Sequence, residues 1–446
     1  MSGIPIFKIA ISSLLQDAGE ATRAIELARG LRENCPPGIK LEIVFFSHGS
    51  SFDNKIEMDG FSVHRVAPEL PGVGFRHDLK STVVDMVGDK ELAVQLLQGE
   101  IDAIHEVRPD VFVHGFWPIA GVAAKIARVN KEIAYFPLPF AQDPFCTYLL
   151  KDIPDFLEHL TRLPIKVRKF IMAKMPPKFK LKAPLLKQNN IISAYQKVTR
   201  KTETPEMQNL FDMLKANFTI VNDLPVFYEG DPMPKNFQVV GPLFSPSEPY
   251  DEIDINILKR FAPENKNTKI FCTLGSSGES KNLLEAIRAL TLGEHPEWDA
   301  VVVCPPSVCP IEEARALVGE NPHIYLTDSF VPAVKVNGMA DLVLSHGGQG
   351  TVQTAISCGT PIVGFAVQPE QQVNLDHLVE RGAGIRIPIQ QWQADEIRKA
   401  LITVIENPAY HEHMAELQQI LKGIDGKKNS AVAIWENIGN PISHLS

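Results

Sequence analysis

The stretch Asp341-Leu342-Val343-Leu344-Ser345-His346-Gly347-Gly348-Gln349-Gly350-Thr351 decides how the rest of the chain is read. Its first four residues form a short apolar run that reads as a buried strand. A histidine and three glycines follow, and Thr351 to Cys358 then has helical character. A strand, a glycine-rich turn and a helix start together present unpaired backbone N–H groups and a positive dipole end. That combination suits a phosphate. The glycines let the backbone approach an anion closely, and His346 and Thr351 can add side-chain donors. Taken alone, the same turn could serve as an ordinary strand-to-helix connection. Downstream come Gly359-Thr360-Pro361, a strand-like Ile362 to Phe365, and the polar cluster Gln368 to Asn374.

With 446 residues the chain is long enough for two domains with substantial cores. Its 44% hydrophobic and 22% charged composition is that of a soluble globular protein. A net charge of −9 argues against general nucleic-acid binding, which demands a basic surface. Cysteines 35, 146, 272, 304, 309 and 358 are scattered, and no second pair or histidine cluster completes a zinc pattern around Cys304 and Cys309. Reduced, buried thiols suit a cytoplasmic protein. The N-terminus lacks a basic flank followed by an apolar core, and no run of about 18 apolar residues occurs. The expectation is a protein that is neither secreted nor membrane-spanning.

In chain order, Ile6 to Ile11 reads as a strand, Ala21 to Glu33 as an amphipathic helix and Leu41 to Phe46 as the next strand. That spacing predicts a parallel βαβ unit. The connecting loop holds no GxGxxG, which sets a dinucleotide-dependent oxidoreductase aside as a minor alternative. Pro109 to Trp117 runs from strand into loop, followed by a helix over Ala120 to Val129 and a strand over Ile133 to Phe136. Residues just past the carboxyl ends of such strands face the ligand crevice, so Ser12, Ser13, His48, His114 and Phe140 to Asp143 are expected there. Lys151 to Lys201 mixes apolar residues with many basic and few acidic ones. It suits either an anionic membrane surface or lid helices whose lysines face water. Phe218 to Val221 closes the first half, and Pro242 to Asp254 reads as a linker. The α/β pattern then repeats in Lys269 to Leu274, Asn282 to Leu290, Asp299 to Cys304 and His323 to Leu326. Gln393 to Glu406 and Pro408 to Gly423 read as terminal helices.

From Phe330 to Ile385 the sequence resembles the nucleotide-sugar signature of the family 1 glycosyltransferases, the UDP-glycosyltransferase superfamily. The resemblance is carried by His346-Gly347-Gly348, by Gly359-Thr360-Pro361 with its strand, by Glu370-Gln371 with Asn374, and by Gly382-Ala383-Gly384. It implies an α/β protein of the GT-B type, two Rossmann-like domains whose parallel sheets face each other across a cleft. Residues 1–243 would bind the acceptor and include the basic-apolar insertion at about 151–201. Residues 244–425 would bind the nucleotide sugar, and 426–446 would form a helix crossing back to the first domain.

The resemblance also implies roles. His346, Gly347, Gly348, Gly350 and Thr351 would form an anion hole, with Ser276 and Ser277 opposite. Phe330, with Val331 beside it, stands where the family has a Trp that stacks on the nucleobase. Glu370 and Gln371 would hold sugar hydroxyls, and Asn374 would support the loop or the phosphates. Many relatives carry Gly-His where this chain has Gly19-Glu20, and the histidine deprotonates the acceptor. Glu20 is therefore one candidate base, or else only an acid favoured by the helix dipole. His114 is the other candidate. Thr354 replaces a ribose-binding Glu and Ala333 a common Gln, which leaves both UDP- and dTDP-sugars open as donors.

The expected activity is inverting, metal-independent and cofactor-free transfer of a hexose to a hydroxyl of a hydrophobic small molecule or lipid. The expected location is cytoplasmic, free or peripheral on the inner membrane surface. Two alternatives stand beside it, a peripheral membrane lipid glycosyltransferase and a non-catalytic nucleotide-sugar-binding subunit.

Overall fold

Thirteen described strands, short and largely buried, alternate with helical segments, and every pairing among them is parallel. Parallel strands buried on both faces need helical crossovers over both sides of the sheet, and the sequence supplies one after almost every strand. The structure is a computed structural model that describes residues 6–82, 84–154, 157–183, 186–243, 252–275, 278–292, 297–329 and 331–439. The helices used below are α1 (Ala18–Glu33), α2 (Lys90–Val107), α3 (Pro118–Ala127), α4 (Ile165–Lys174), α5 (Gln349–Cys358), α6 (Pro369–Glu380) and α7 (Gly426–Ile438).

The chain divides into two compact units. One takes in Met1–Tyr148, Met175–Leu243 and Asp425–Ser446, the other Leu149–Lys174 and Phe244–Ile424. In the first unit, β1 (Ile6–Ser12), β2 (Lys40–Ser47), β3 (Ser62–Arg65), β4 (Val111–His114), β5 (Glu132–Phe136), β6 (Phe218–Val221) and β7 (Phe237–Val239) lie in the order β3-β2-β1-β4-β5-β6-β7. Ile9, Ile11, Phe45, Val111 and Val113 pack there with Leu27 and Leu31 of α1 and with Ile434 and Trp435 of α7. Gly30 permits that approach, because a Cβ there would lie 2.6 Å from the Lys427 carbonyl oxygen. Trp435 of α7 lies against Phe7, with ring centroids 5.8 Å apart.

The second unit has β8 (Thr268–Thr273), β9 (Trp298–Val303), β10 (Ile324–Thr327), β11 (Leu342–Ser345), β12 (Ile362–Gly364) and β13 (Gly384–Arg386), in the order β10-β9-β8-β11-β12-β13. In both sheets the order reverses beside the first strand, between β1 and β4 and between β8 and β11. Ligands of open α/β sheets bind outside the carboxyl ends of the strands at such a reversal.

One expectation needs correcting. The basic-apolar segment was read as an insertion of the first domain, but Leu149–Lys174 belongs to the second unit. The cause is a buried charge network. Asp152 Oδ2 lies 3.0 Å from Arg168 Nη2 and 2.5 Å from Arg386 Nη2, while Arg386 Nε lies 2.7 Å from Asp376 Oδ1. Among the described residues, two carboxylates thus face two guanidinium groups, and burial pushes the Asp376 carboxyl above its ordinary value despite the Arg386 charge. Lys151 and Lys169 add ion pairs to Glu380 at 3.0 and 3.3 Å. Gln372 of α6 donates its side-chain amide to the Ile153 carbonyl at 3.2 Å. No helix among the described residues is long and apolar enough to cross a membrane.

Candidate functional site

At the reversal of the first sheet, β1 ends in Ser12-Ser13 and β4 runs into His114-Gly115-Phe116. Asp17 caps α1 and accepts the Glu20 N–H at 3.0 Å, which fixes the first turn of that helix. Gly19 is exposed in that turn, whereas Glu20 points inward and is 4% exposed. Its Oε2 accepts from Ser13 Oγ at 3.0 Å and from the Phe116 N–H at 3.1 Å, and its Oε1 accepts from Arg23. Ser13 Oγ in turn accepts from Tyr135 Oη at 2.7 Å. Burial, reinforced by the Glu20 charge, pushes the Tyr135 hydroxyl well above its ordinary range, so it stays a donor. Gly115 sits where these groups converge. A Cβ there would lie 2.2 Å from Glu20 Oε2, 2.6 Å from Tyr135 Oη and 2.7 Å from Ser13 Oγ. Phe116, whose N–H holds Glu20, opens an aromatic cluster with Phe136, Phe140, Phe145 and Phe211.

His114, the second candidate base, is placed differently. It has no exposed surface, its Nδ1 lies 2.9 Å from the Gly115 carbonyl, and its Nε2 lies 3.2 Å from Glu132 Oε1. The last side chain of β4 points towards α3, where a Cβ on Gly121 would come within 3.5 Å of the ring. His114 is thus enclosed between the Gly115 carbonyl and Glu132, whereas Glu20 lies at the turn of α1 beside the Phe116 N–H.

At the reversal of the second sheet, β11 delivers His346 into the turn that opens α5. His346 is 5% exposed, and its Nδ1 has no hydrogen-bond partner among the described residues. Burial holds its pKa down at about 4, so at neutral pH the ring is uncharged and offers an N–H rather than a cation. Two glycines close around the ring. A Cβ on Gly275 or Gly348 would lie 2.9 or 3.0 Å from His346 Cε1. Gly347 adopts φ +75°, where a Cβ would also meet Leu375 Cγ at 2.6 Å. Gly350 is exposed in the first turn of α5 with open space around it, and Thr351 is half-buried beside it. Thr354 lies on the buried side of the same helix.

Glu370 in the first turn of α6 is half-buried, and its Oε1 accepts from Asn374 Nδ2 at 2.8 Å. The same amide lies 3.1 Å from the Gly347 carbonyl, so Asn374 ties Glu370 to the glycine turn. Gln371 follows Glu370 in the first turn of α6. It is 3% exposed, and its Oε1 accepts the N–H groups of Val367 and Gln368 at 2.9 and 3.2 Å. The Gln368 and Gln371 side chains form the capping box of α6, which occupies the Gln371 Oε1. Val331 packs partly buried on an apolar cluster with Phe271 and Val301. Phe330, Ser276 and Ser277 lie outside the described residues.

Sequence reasoning missed Arg23, Tyr135 and Gly115, which surround Glu20. The i,i+3 spacing of Glu20 and Arg23 was available as a signal. Nothing local in the sequence points Tyr135 at Ser13.

Residues 290–421 match the family model described as the C-terminal domain of erythromycin biosynthesis protein CIII-like proteins. A Mycobacterium tuberculosis protein named as a PGL/p-HBAD biosynthesis glycosyltransferase is 23% identical over 205 residues, 46% of this chain and 44% of that one. The chain thus spans less than half the length of that curated relative. An uncharacterized glycosyltransferase of Methanosarcina acetivorans is 23% identical over 416 residues, 90% of this chain and 92% of the other. Among solved structures, the glycotransferase of kitacinnamycin superposes with a TM-score of 0.68 at 20% identity, covering 98% of this chain and 100% of that one. A Medicago truncatula protein complexed with UDP-glucose gives 0.66 at 16% identity, with 97% and 98% covered. The spinosyn rhamnosyltransferase complexed with thymidine diphosphate gives 0.56 at 16% identity, with 96% and 98% covered. The chain thus has a GT-B fold, and its residues 290–421 are similar to that C-terminal family domain.

Proposed function

We propose that the chain transfers a hexose, with inversion, from a UDP- or dTDP-sugar to a hydroxyl of a hydrophobic small molecule or lipid. The observation that carries the donor half is the His346-Gly347-Gly348 turn. A buried, neutral imidazole with an unpartnered Nδ1 stands there at the start of α5, between glycines that leave no room for a side chain. In this reading the diphosphate takes N–H donors from the turn and from His346, and the helix dipole favours the charge that develops on it. These groups stand in for a divalent metal. Glu370, held by Asn374, accepts hydrogen bonds from the sugar hydroxyls, with the Gln371 amide next to it in the same turn.

For the acceptor half, Glu20 is the proposed base, positioned by Ser13, Arg23 and the Phe116 N–H. The aromatic cluster that begins at Phe116 supports an apolar aglycone. The acceptor oxygen bonds to the anomeric carbon as the bond to the phosphate oxygen breaks. The hydroxyl proton passes to the Glu20 carboxylate, and the bonding pair leaves on the diphosphate.

Thymidine diphosphate and UDP-glucose occur in different structures of this fold, and Thr354 in place of an acid leaves both donors in contention. Calorimetry with UDP, dTDP and GDP, each with magnesium and with EDTA, tests the donor half. Tight binding of UDP or dTDP that is indifferent to EDTA is expected, and no binding of any of the three refutes it. A non-catalytic binding subunit is the second reading, favoured by the ties that both Glu20 oxygens already have. It predicts donor binding with neither transfer nor slow donor hydrolysis when products are followed by mass spectrometry.

A further inference from the structure

We infer that α4 is a docking helix for an anionic lipid bilayer. The reasoning needs none of the transfer chemistry. From Leu160 to Lys187 the sequence has nine Lys and Arg residues and no acidic one, although the whole chain carries −9. Of the described large hydrophobic side chains that stay exposed, five fall between residues 160 and 179, namely Leu160, Ile165, Val167, Phe170 and Phe179. Scattered exposed apolar residues are ordinary, but a concentration of them on one short, basic segment is not.

The two faces of α4 are chemically distinct. Its inner face carries Arg168, paired with Asp152, and the buried Met172. Lys169, at its edge, pairs with Glu380 of α6. Lys166, Val167, Phe170, Ala173 and Lys174, spaced as one stripe of a helix, are all exposed. Phe170, at 63% exposure, sits at the centre of that stripe, with a lysine one turn to either side. Neither Lys166 nor Lys174 has an ion-pair partner among the described residues. An aromatic wedge flanked by lysines that can reach up to phosphate headgroups is the arrangement an interfacial helix needs. The inner-face network fastens this helix to α6, whose first turn carries Glu370. A bilayer held by α4 would therefore be held by the unit that bears the proposed donor site.

Charge complementarity selects the lipid over a protein partner. The outward stripe offers apolar depth and cations but no hydrogen-bonding acceptor side chain for a specific polar partner. In the first unit, Phe179 is 51% exposed with Lys178 and Lys182 about its ring, a second instance of the same chemistry a few residues on.

The test is co-sedimentation of the full chain with vesicles of phosphatidylcholine alone and of phosphatidylcholine mixed with phosphatidylglycerol. Partition onto the anionic vesicles is expected to be at least about ten-fold stronger and to fall with added salt. Each of Lys166→Glu and Lys174→Glu should weaken it by roughly five-fold or more, and Phe170→Ser should weaken it on either vesicle. Lys266→Glu, on an exposed loop of the same unit, should change little. With Phe170→Trp, emission should shift to the blue on anionic vesicles. All four positions are exposed, and unchanged thermal unfolding confirms that the variants fold. Equal partition onto both vesicles, no partition onto either, indifference to the α4 substitutions, or retention by RNA but not by vesicles would each overturn the inference.

Discussion

Asp152→Asn is expected to release the segment 149–174 from the second unit. Asp152 has no exposed surface and faces two guanidinium groups, Arg168 Nη2 at 3.0 Å and Arg386 Nη2 at 2.5 Å. At an effective dielectric near 20, each such pair attracts by roughly 5 kcal/mol. Desolvation of four charges cancels most of that, so the intact network adds little net stability. Removing one carboxylate is a different matter, because Arg168 and Arg386 both lose the Asp152 charge. Breaking a buried pair from one side costs about 3–5 kcal/mol. Native-state trypsin digestion reads this directly, because Arg162, Lys166 and Lys174 all lie in the segment. Where cleavage follows the open population, its rate should rise on the order of 10²-fold or more. The double variant Asp152→Asn/Arg168→Met also removes the Arg168 charge that the first substitution leaves without its carboxylate, and should recover part of the loss. The reasoning fails if Asp152→Asn changes cleavage by less than about five-fold, or if the double variant is as labile as the sum of the two single ones.

Three further outcomes follow from the sites. His346 and His377 have pKa values lowered by burial to about 4 and about 3, with the Lys151 charge adding to the second. The unfolded chain therefore takes up protons first. The stability they confer is complete above about pH 6.5 and is lost as the pH falls towards 4, so thermal unfolding should occur at a lower temperature at pH 5 than at pH 7. An unchanged unfolding temperature would contradict it. Gly347→Ala, at φ +75° against Leu375, should lower nucleotide affinity at least ten-fold in calorimetry; wild-type affinity would remove the turn from the donor site. Glu20→Gln should reduce kcat by about 10²–10⁴ with nucleotide affinity unchanged, and turnover within about three-fold of wild type would rule Glu20 out as base.

The fold was largely legible because its signal is local. Ile6–Ser12, Phe218–Val221 and Leu342–Ser345 are apolar runs of strand length, and each parallel crossover is spelled by an intervening helical segment. The HGG turn was legible for a related reason, since glycines without helical or strand context mark a backbone that something must approach. What escaped was long-range. The sequence of 149–174 shows a basic, apolar segment but not that Asp152 meets Arg386, more than two hundred residues away, and that contact decides which unit holds it. Gln371 reads by position as a sugar ligand, and the sequence gives no sign that its side-chain oxygen also caps the start of α6. His114 fell at a strand end as expected, but whether the last side chain of a strand faces a ligand or the helix beneath depends on pleat and register.

The two sheet reversals share a topology but are lined differently. At the second, glycines crowd around one buried histidine. At the first, side chains and a backbone N–H surround a buried carboxylate, and a single glycine makes room. Gly115→Ala separates positioning from folding. A methyl placed 2.2 Å from Glu20 Oε2 must displace that carboxylate, breaking its bonds from Ser13 Oγ and the Phe116 N–H. Losing hydrogen bonds to a charged, buried group costs about 1.5–3 kcal/mol each. Gly115→Ala should therefore lower both stability and kcat, while nucleotide affinity, if the proposed donor site in the second unit holds the nucleotide, stays constant. Adding Glu20→Ala removes the group that the methyl strikes, so stability should partly return and activity should not. If Gly115→Ala alone keeps kcat within about three-fold, the position of Glu20 does not matter to turnover, and the base lies elsewhere in the chain.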